Sequence, residues 1–205
     1  DFVLLTIYIN PTQFNDRKDF DKYPNTLDAD IRILESEKVD ALYLPTFEDV
    51  YPNGTDRLPY FDINNLDLIL EGKYRPGHFQ GVCSVLHRFI SLIKPAKLYL
   101  GEKDFQQLAV IRSVVRDLNI KCDVRGVPTV RNEMGLALSS RNSRLSPYRL
   151  KQASIIYSIL IEMANMARNS ETSSLTLQNH FKNGIQSISA VKVEYVDVVD
   201  SDSLV

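Results

Sequence analysis

The amino-acid sequence predicts an α/β fold built around a parallel sheet, and three observations lead to this fold class. Short runs rich in apolar and β-branched residues end at proline or turn residues, which is typical of buried strands. Longer segments between them repeat apolar residues three and four positions apart, which indicates helices with one buried face. Strands and helices alternate along the chain as far as Val130, and that order is characteristic of α/β proteins.

The predicted elements of the first half begin with an apolar run that Asn10-Pro11 ends. The next helix starts after a threonine that could cap it. A later helix has five apolar residues on one face and stops at Pro95. In order, we predict a buried strand over Phe2–Ile9, a helix over Leu27–Lys38 capped by Thr26, a strand over Val39–Leu44, a short strand over Leu66–Leu70, and a helix over Val82–Ile93 after a loop containing His78.

The second half continues with a strand over Lys97–Leu100, a helix through Leu118 and an extended segment over Lys121–Val130. After Val130 the composition changes to that of a polar loop rich in serine and arginine, so we predict two domains, residues 1–129 and 130–205. Ser146-Pro147 predicts a capped helix start. The remaining predicted elements are a helix to Ala167 with Leu150, Tyr157 and Leu160 on its apolar face, a weaker helix over Leu175–Ile188 and a strand over Val191–Val199.

Composition excludes several classes of protein. With 205 residues, 44% hydrophobic and 24% charged, the chain is an ordinary globular protein rather than a disordered one. A net charge of -2 disfavours nucleic acid or an anionic membrane as partner, and no apolar run is long enough to span a bilayer. Two distant cysteines, Cys83 and Cys122, indicate a reduced cytoplasmic protein in which both are small buried hydrophobes.

The strongest chemical signal is Gly101-Glu102-Lys103-Asp104 between a strand and a helix. A glycine lets the backbone approach a ligand, and the start of the following helix attracts anions. Lys103 adds a charge suited to phosphate, and Asp104 could hold a metal ion or a ribose hydroxyl. A purely structural glycine at a strand-to-helix turn is an equally good reading of this segment.

Two further segments could bind ligands. Leu138-Ser139-Ser140-Arg141 offers hydroxyl and guanidinium donors for a polyphosphate, although a solvated loop before a helix cap explains it as well. Asn10-Pro-Thr-Gln13 follows the first strand, at the sheet edge where α/β proteins bind ligands. His78 could touch a substrate. No zinc-binding spacing and no serine-hydrolase motif is present in the sequence.

Together these segments resemble the pantothenate synthetase (pantoate–β-alanine ligase) family. The resemblance extends over most of the chain in the expected order, through Ile9–Phe14, Asp21–Pro24, His78–Val82, Gly101–Gln107, Gly126–Val130 and Leu138–Asn142. It implies a Rossmann-like nucleotidyltransferase domain with a parallel sheet and a small α+β C-terminal lid domain. It also implies a Mg²⁺-dependent homodimer that adenylates pantoate with ATP and then replaces AMP with the amine of β-alanine.

The resemblance also implies residue roles. Asn10, Gln13 and Gln107 would hold pantoate, with Gln13 also near β-alanine, and the Val130 backbone would meet adenine. Gly101, Glu102, Lys103 and Asp104 would contact ATP, with Asp104 as the metal ligand. The phosphates would be held by Leu138, Ser139, Ser140 and Arg141. The negative charge that builds up on the phosphates in the transition state would be stabilised by Lys103, Ser139, Ser140 and Arg141, which are the predicted catalytic residues.

One feature of the family is missing from this sequence. The family carries a His-x-Gly-His motif upstream of the segment that matches Phe2–Ile9, and no such motif occurs here. We therefore expect a chain shortened at both ends and impaired in catalysis. The alternatives are a non-catalytic ATP-binding homologue and another nucleotidylyltransferase of the same fold.

Overall fold

The computed structural model of the protein describes residues 1–186, 188 and 191–205. Its strands are β1 (Leu4–Thr6), β2 (Ala41–Tyr43), β3 (Lys97–Gly101) and β4 (Asp123–Val127). Its α-helices are α1 (Arg17–Asp21), α2 (Leu27–Ser36), α3 (Phe47–Val50), α4 (Leu70–Tyr74), α5 (His78–Ile93), α6 (Phe105–Asp117), α7 (Pro147–Met166) and α8 (Ser174–Gln186). None of the helices in the described ranges has the length and apolar character needed to cross a membrane.

The strands form two pairs, each connected through helical segments. β1 and β2 run parallel, with Leu4 opposite Ala41, and β3 pairs with β4. The predicted strand–helix–strand order is confirmed. The prediction that the first strand is buried is wrong, since Leu4 and Leu5 are 37% and 36% exposed. In the described chain β1 has β2 as its only sheet neighbour, so it is an edge strand.

The predicted strand at Leu66–Leu70 is also wrong, because the chain turns there and enters α4. Asn64 and Asn65 adopt left-handed backbone conformations, with φ of 53° and 62°. The buried Gln106 carboxamide forms hydrogen bonds with backbone groups of this segment that would pair with a neighbouring strand if the segment were a strand. Its Nε2 donates to the carbonyls of Leu66 (2.6 Å) and Ile69 (2.9 Å), and its Oε1 accepts from the Glu71 amide at 2.9 Å.

The predicted strand over Val191–Val199 is absent as well, and these residues are irregular. A strand needs a partner for its backbone groups, and the described chain places none beside this segment. The predicted alternation of exposure does occur, because Val191 and Val193 pack against an apolar core while Lys192 and Glu194 are exposed.

The helix boundaries reflect local capping. Ser146 caps α7 as predicted, with Oγ accepting from the Arg149 amide at 3.4 Å and Pro147 in the first turn. Thr26 precedes α2, but its side chain binds Asp30 rather than a backbone amide. α5 begins at His78, earlier than predicted. The helix predicted to reach Ile188 ends at Gln186, and the prediction for position 187 lies outside the described residues.

The chain divides into two compact units, residues 1–100 with 106–126, and residues 101–105 with 127–205. The domain boundary at residue 130 stays a prediction. The larger core of the first unit surrounds Phe79, Val110 and Ile111, and it contains the fully buried Cys83 as predicted. Cys122 is only half-buried against this core.

The core of the second unit joins α7 and α8. It contains Ile159 and Met163 together with Phe181 and Ile185. The predicted apolar face of α7 is wrong, because Leu160 is 38% exposed. Apolar residues lie on several sides of this helix, so their spacing alone does not select the buried one.

Candidate active site

The predicted site residues fall into two groups that follow the two units. The first unit contains the residues predicted to hold the organic acid, Asn10, Gln13 and Gln107. The second unit contains every residue predicted to contact ATP, which are Gly101, Glu102, Lys103, Asp104, Val130, Leu138, Ser139, Ser140 and Arg141. Each group is built by its own local contacts.

The Asn10 side chain organises the turn that follows β1. It is 1% exposed, and its Nδ2 donates to the carbonyl of Gly81 in α5 at 3.1 Å. Its Oδ1 accepts from the Thr12 amide at 3.3 Å and from the Tyr51 hydroxyl at 2.7 Å. Asn10 is therefore a buried anchor for the 3₁₀ turn Pro11–Gln13, with its Oδ1 and one N–H of its Nδ2 bound to protein partners.

Tyr51 also fixes the turn after β1, and the sequence analysis did not identify it. Its ring is buried at 4% exposure, and its hydroxyl also lies 2.9 Å from Thr12 Oγ1. Burial raises the pKa of Tyr51 above the usual value of 10.0, so the hydroxyl keeps its proton and can donate to Asn10. No local sequence signal marks this residue, because its partner Asn10 lies 41 positions away.

Gln13 ends this turn with its carbonyl oxygen bound and its side chain half-buried. His78 Nδ1 lies 2.8 Å from the Gln13 carbonyl, and Arg75 Nη2 donates to it at 3.4 Å. The Gln13 carboxamide makes no hydrogen bond to the part of the chain that the structure describes. His78 itself opens α5 and is only 9% exposed, whereas the sequence placed it in a loop.

Gln106 and Gln107 are adjacent in α6 but differ in role. Gln106 is buried and joins three backbone groups, as described for the turn before α4. Gln107 is half-buried, and its carboxamide has no hydrogen-bond partner among the described residues. The second glutamine is thus the one available to a ligand.

The Gly101 turn has open space beside its backbone. Gly101 has φ -70° and ψ 132°, which any residue can adopt, and a Cβ placed there would meet no atom within 4 Å. Neither backbone conformation nor packing therefore requires glycine at this position. Open space next to an exposed backbone suits the close approach of a ligand.

Lys103 and Asp104 lie in the 3₁₀ turn between Gly101 and α6. Lys103 Nζ is 3.0 Å from Asp104 Oδ1, and the two side chains are 39% and 60% exposed. An exposed ion pair of this kind contributes little to stability, so both side chains can change partners. Among the described residues no cluster of three His, Cys, Asp or Glu side chains could hold a metal ion by itself.

Val130 and Leu138 face each other across a hairpin. The Leu138 amide donates to the Val130 carbonyl at 2.9 Å, and the two side chains are 63% and 52% exposed. The hairpin is braced by Arg131, whose guanidinium stacks 3.7 Å from the centroid of the Tyr157 ring and donates to the Gly135 carbonyl at 3.2 Å. The hairpin therefore presents two exposed apolar side chains on a backbone that these contacts brace.

The segment after the hairpin forms a 3₁₀ helix over Ser140–Arg144. Ser139 Oγ accepts from the Arg141 amide at 3.3 Å, which fixes the start of this helix. Ser140 and Arg141 are exposed. The exposed hydroxyl and guanidinium are donors of the kind that bind phosphate oxygens.

Comparison with known proteins assigns a family to this arrangement. The family model for pantoate–β-alanine ligase matches residues 1–205. A pantothenate synthetase of Acetivibrio thermocellus is 37% identical over 204 residues, which are 100% of this chain and 72% of the relative.

Solved structures agree in fold. The crystal structure of pantothenate synthetase from Thermus thermophilus matches with a TM-score of 0.92 and 38% identity, covering 100% of this chain and 73% of that one. The pantoate–β-alanine ligase of Francisella tularensis, complexed with β,γ-ATP and β-alanine, matches with a TM-score of 0.76 and 40% identity over 90% of this chain and 68% of that one.

Proposed function

This chain belongs to the pantoate–β-alanine ligase family, and on that premise we propose that it condenses pantoate with β-alanine to give pantothenate while ATP is cleaved to AMP and pyrophosphate. The observation that carries this proposal is the match of the family model to all 205 residues. The local geometry supports it, because the carboxamides predicted to bind the acid and the cations predicted to bind phosphate lie on exposed or half-buried segments.

In the first step a carboxylate oxygen of pantoate attacks the α-phosphorus of ATP. A new O–P bond forms, the bond between the α-phosphorus and the bridging oxygen breaks, and pyrophosphate leaves with the electron pair. We assign pantoate to the free carboxamides of Gln13 and Gln107, which can each donate and accept a hydrogen bond. Asn10 holds the turn that presents Gln13. Fixing the acid in this way makes the attack effectively intramolecular.

The cationic side chains stabilise charge that accumulates on the phosphates. The Lys103 ammonium leaves its exposed pair with Asp104 to meet them, and the Arg141 guanidinium with the hydroxyls of Ser139 and Ser140 donates from the other segment. Gly101 and Glu102 contribute exposed backbone at the ATP site. We place the adenine ring against the backbone of Val130, and Leu138 stays with the phosphate-binding segment that follows the hairpin.

In the second step the amine nitrogen of β-alanine attacks the acyl carbon of pantoyl adenylate. The carbon–oxygen bond to the phosphate breaks, AMP leaves with its electron pair, and the new amide nitrogen gives up its extra proton to water. The Gln13 carboxamide, next to the reacting acyl group, orients the incoming amine in this assignment.

The residues present fit a Mg²⁺ ion that arrives with ATP. Mg²⁺ commonly uses one or two carboxylates together with substrate phosphates, and Asp104 offers one exposed carboxylate beside the predicted phosphate site. Bound there, the ion would supply positive charge to the phosphates. We further propose that the enzyme is a cytoplasmic homodimer and that residues 130–205 act as its lid domain.

The test is pyrophosphate release from Mg-ATP by the purified full-length protein, with pantoate present and β-alanine added or omitted. Pyrophosphate that depends on pantoate, with AMP release that depends on β-alanine, is the expected result. The same assay on residues 1–205 alone should give little product, because this segment lacks the His-x-Gly-His motif of the family. ATP binding without turnover would instead favour a non-catalytic homologue, and adenylylation of a different acceptor would favour another nucleotidylyltransferase.

A matched pair of variants tests whether the Lys103 ammonium stabilises the phosphates. Lys103→Met should abolish most pantoate-dependent pyrophosphate release, because it removes the ammonium from the phosphate site. Lys97→Met is the control, since Lys97 is an exposed lysine at the start of β3, the strand that leads into the turn containing Lys103. Equal activity of the two variants would contradict the role of Lys103.

A further inference from the structure

His78 has a buried and specific geometry that the reaction above does not use. It opens α5 directly after Gly77, whose φ of 79° is left-handed, and only 9% of the residue is exposed. Its Nδ1 approaches the carbonyl oxygen of Gln13, 65 residues earlier in the chain, to 2.8 Å. A carbonyl oxygen can only accept, so Nδ1 must be the nitrogen that carries the proton.

In the described chain, hydrogen bonds at both ends attach the turn Pro11–Gln13, called here the substrate turn, to α5. At the first end of the turn, the Asn10 side chain donates to the Gly81 carbonyl at 3.1 Å. At the other end, His78 Nδ1 lies 2.8 Å from the Gln13 carbonyl, which also accepts a longer hydrogen bond of 3.4 Å from Arg75 Nη2. The two anchoring residues of α5 lie three positions apart, on one face of the first turn of that helix.

With both ends attached, the backbone of Gln13 has little freedom to rotate. The Gln13 amide also donates to the Asn10 carbonyl at 3.4 Å, so the backbone groups on both sides of its Cα are engaged. Its carboxamide, by contrast, is unbonded to the described chain. The hydrogen bonds that hold Gln13 are therefore those of its backbone, and these fix the position from which its side chain extends.

We propose that His78 is a positioning residue that acts through the Gln13 backbone to aim the Gln13 carboxamide at pantoate. This inference rests on the proposed function, in which Gln13 contacts that substrate. Small displacements of a positioning group can reduce rates strongly because the reacting atoms lose alignment. Loss of the His78 contact should thus impair pantoate use more than ATP use.

Three substitutions separate the hydrogen bond from the bulk of the ring. His78→Asn keeps an N–H donor bonded to Cγ, the same position that Nδ1 occupies. His78→Gln moves the donor one atom further out, and His78→Leu removes it. We expect His78→Leu and His78→Gln to lower kcat/KM for pantoate by about tenfold, the scale of one lost hydrogen bond, with KM for ATP unchanged. His78→Asn should restore most of the loss.

The thermal midpoint of each variant separates positioning from folding. If His78 only supports the fold, the loss of kcat/KM will follow the loss of stability in all three variants and will affect pantoate and ATP equally. That pattern, or equal activity of the Asn and Gln variants, would overturn the proposal.

A double-mutant cycle with Gln13→Ala separates failure of this inference from failure of the proposed function. If His78 acts through Gln13, the His78→Leu change has little further effect once the carboxamide is gone. Additive losses would overturn the positioning role while leaving Gln13 as a substrate contact. An unchanged KM for pantoate in Gln13→Ala alone would overturn the assignment of Gln13 and this inference with it.

Discussion

Gly81 lies where α5 touches the substrate turn, and replacing it by alanine tests that contact. A Cβ at this position would lie 2.6 Å from the carbonyl oxygen of Thr12 and 2.8 Å from its carbonyl carbon. Both atoms belong to the backbone, so they cannot rotate away as a side chain could. Restoring an ordinary contact of 3.4 Å requires the helix and the turn to separate by about 0.8 Å.

Opposing effects set the magnitude of the change. Alanine is the better helix former by about 1 kcal/mol. Overpacking costs about 1–3 kcal/mol, and weakening the bond from Asn10 to the Gly81 carbonyl costs about 1 kcal/mol more. We therefore expect Gly81→Ala to lower the free energy of unfolding by about 1–3 kcal/mol, even though the substitution favours the helix.

Urea unfolding and steady-state kinetics of the purified enzyme check this expectation. The urea midpoint should fall, and KM for pantoate should rise because Gln13 shares the displaced turn, while KM for ATP should stay constant. Gly184→Ala in α8 is the comparison, since its Cβ would meet side-chain atoms instead of backbone, namely Cδ1 and Cγ1 of the buried Ile159 at 2.8 and 3.1 Å. That variant should lose less stability than Gly81→Ala, because a side chain can change rotamer where a backbone carbonyl cannot. A Gly81→Ala enzyme with unchanged or increased stability and an unchanged KM for pantoate would refute the reasoning.

Two further predictions concern the hairpin and a helix cap. Tyr157→Leu should raise KM for ATP severalfold, because the Arg131 guanidinium loses the aromatic ring on which it stacks and the hairpin is no longer braced. Tyr157→Phe keeps a ring and should have little effect. Equal KM values for ATP in the two variants would contradict the bracing role. In the capping box of α3, hydrogen bonds from the Thr46 backbone and side chain lower the pKa of Asp49 below 3.8. A carboxyl group whose pKa is lower in the folded than in the unfolded protein stabilises the fold at pH values above its unfolded pKa. Asp49→Asn should therefore lower the free energy of unfolding at pH 7, and the difference from the wild type should vanish as the pH falls well below 3.8. A difference in stability that persists at low pH would exclude this cause.

The Gly101 turn illustrates a question that the sequence raised and could not answer. A glycine between a strand and a helix suits a structural turn and a ligand approach equally well. The structure gives it an ordinary φ of -70° and open space beside its Cα, so the structural explanation loses its basis. The roles of Lys103, Asp104 and the other site residues stay predictions that the proposed experiments address.

The two strand predictions that failed share one cause. Leu66–Leu70 and Val191–Val199 have the apolar content and alternation of strands, but a strand exists only where a neighbour accepts its backbone hydrogen bonds. The Gln106 side chain takes the backbone groups of the first segment, and no strand lies beside the second in the described chain.

The sequence by itself determined the α/β class, the order of most helices and strands, and the motifs that indicate the family. Those features depend on periodicity, caps and short motifs, which are properties of neighbouring residues. Only the tertiary structure decided which of two adjacent glutamines is saturated and why Tyr51 and His78 matter. Their contacts join residues 35 to 65 positions apart, and local pattern carries no information about such pairs until packing brings them together.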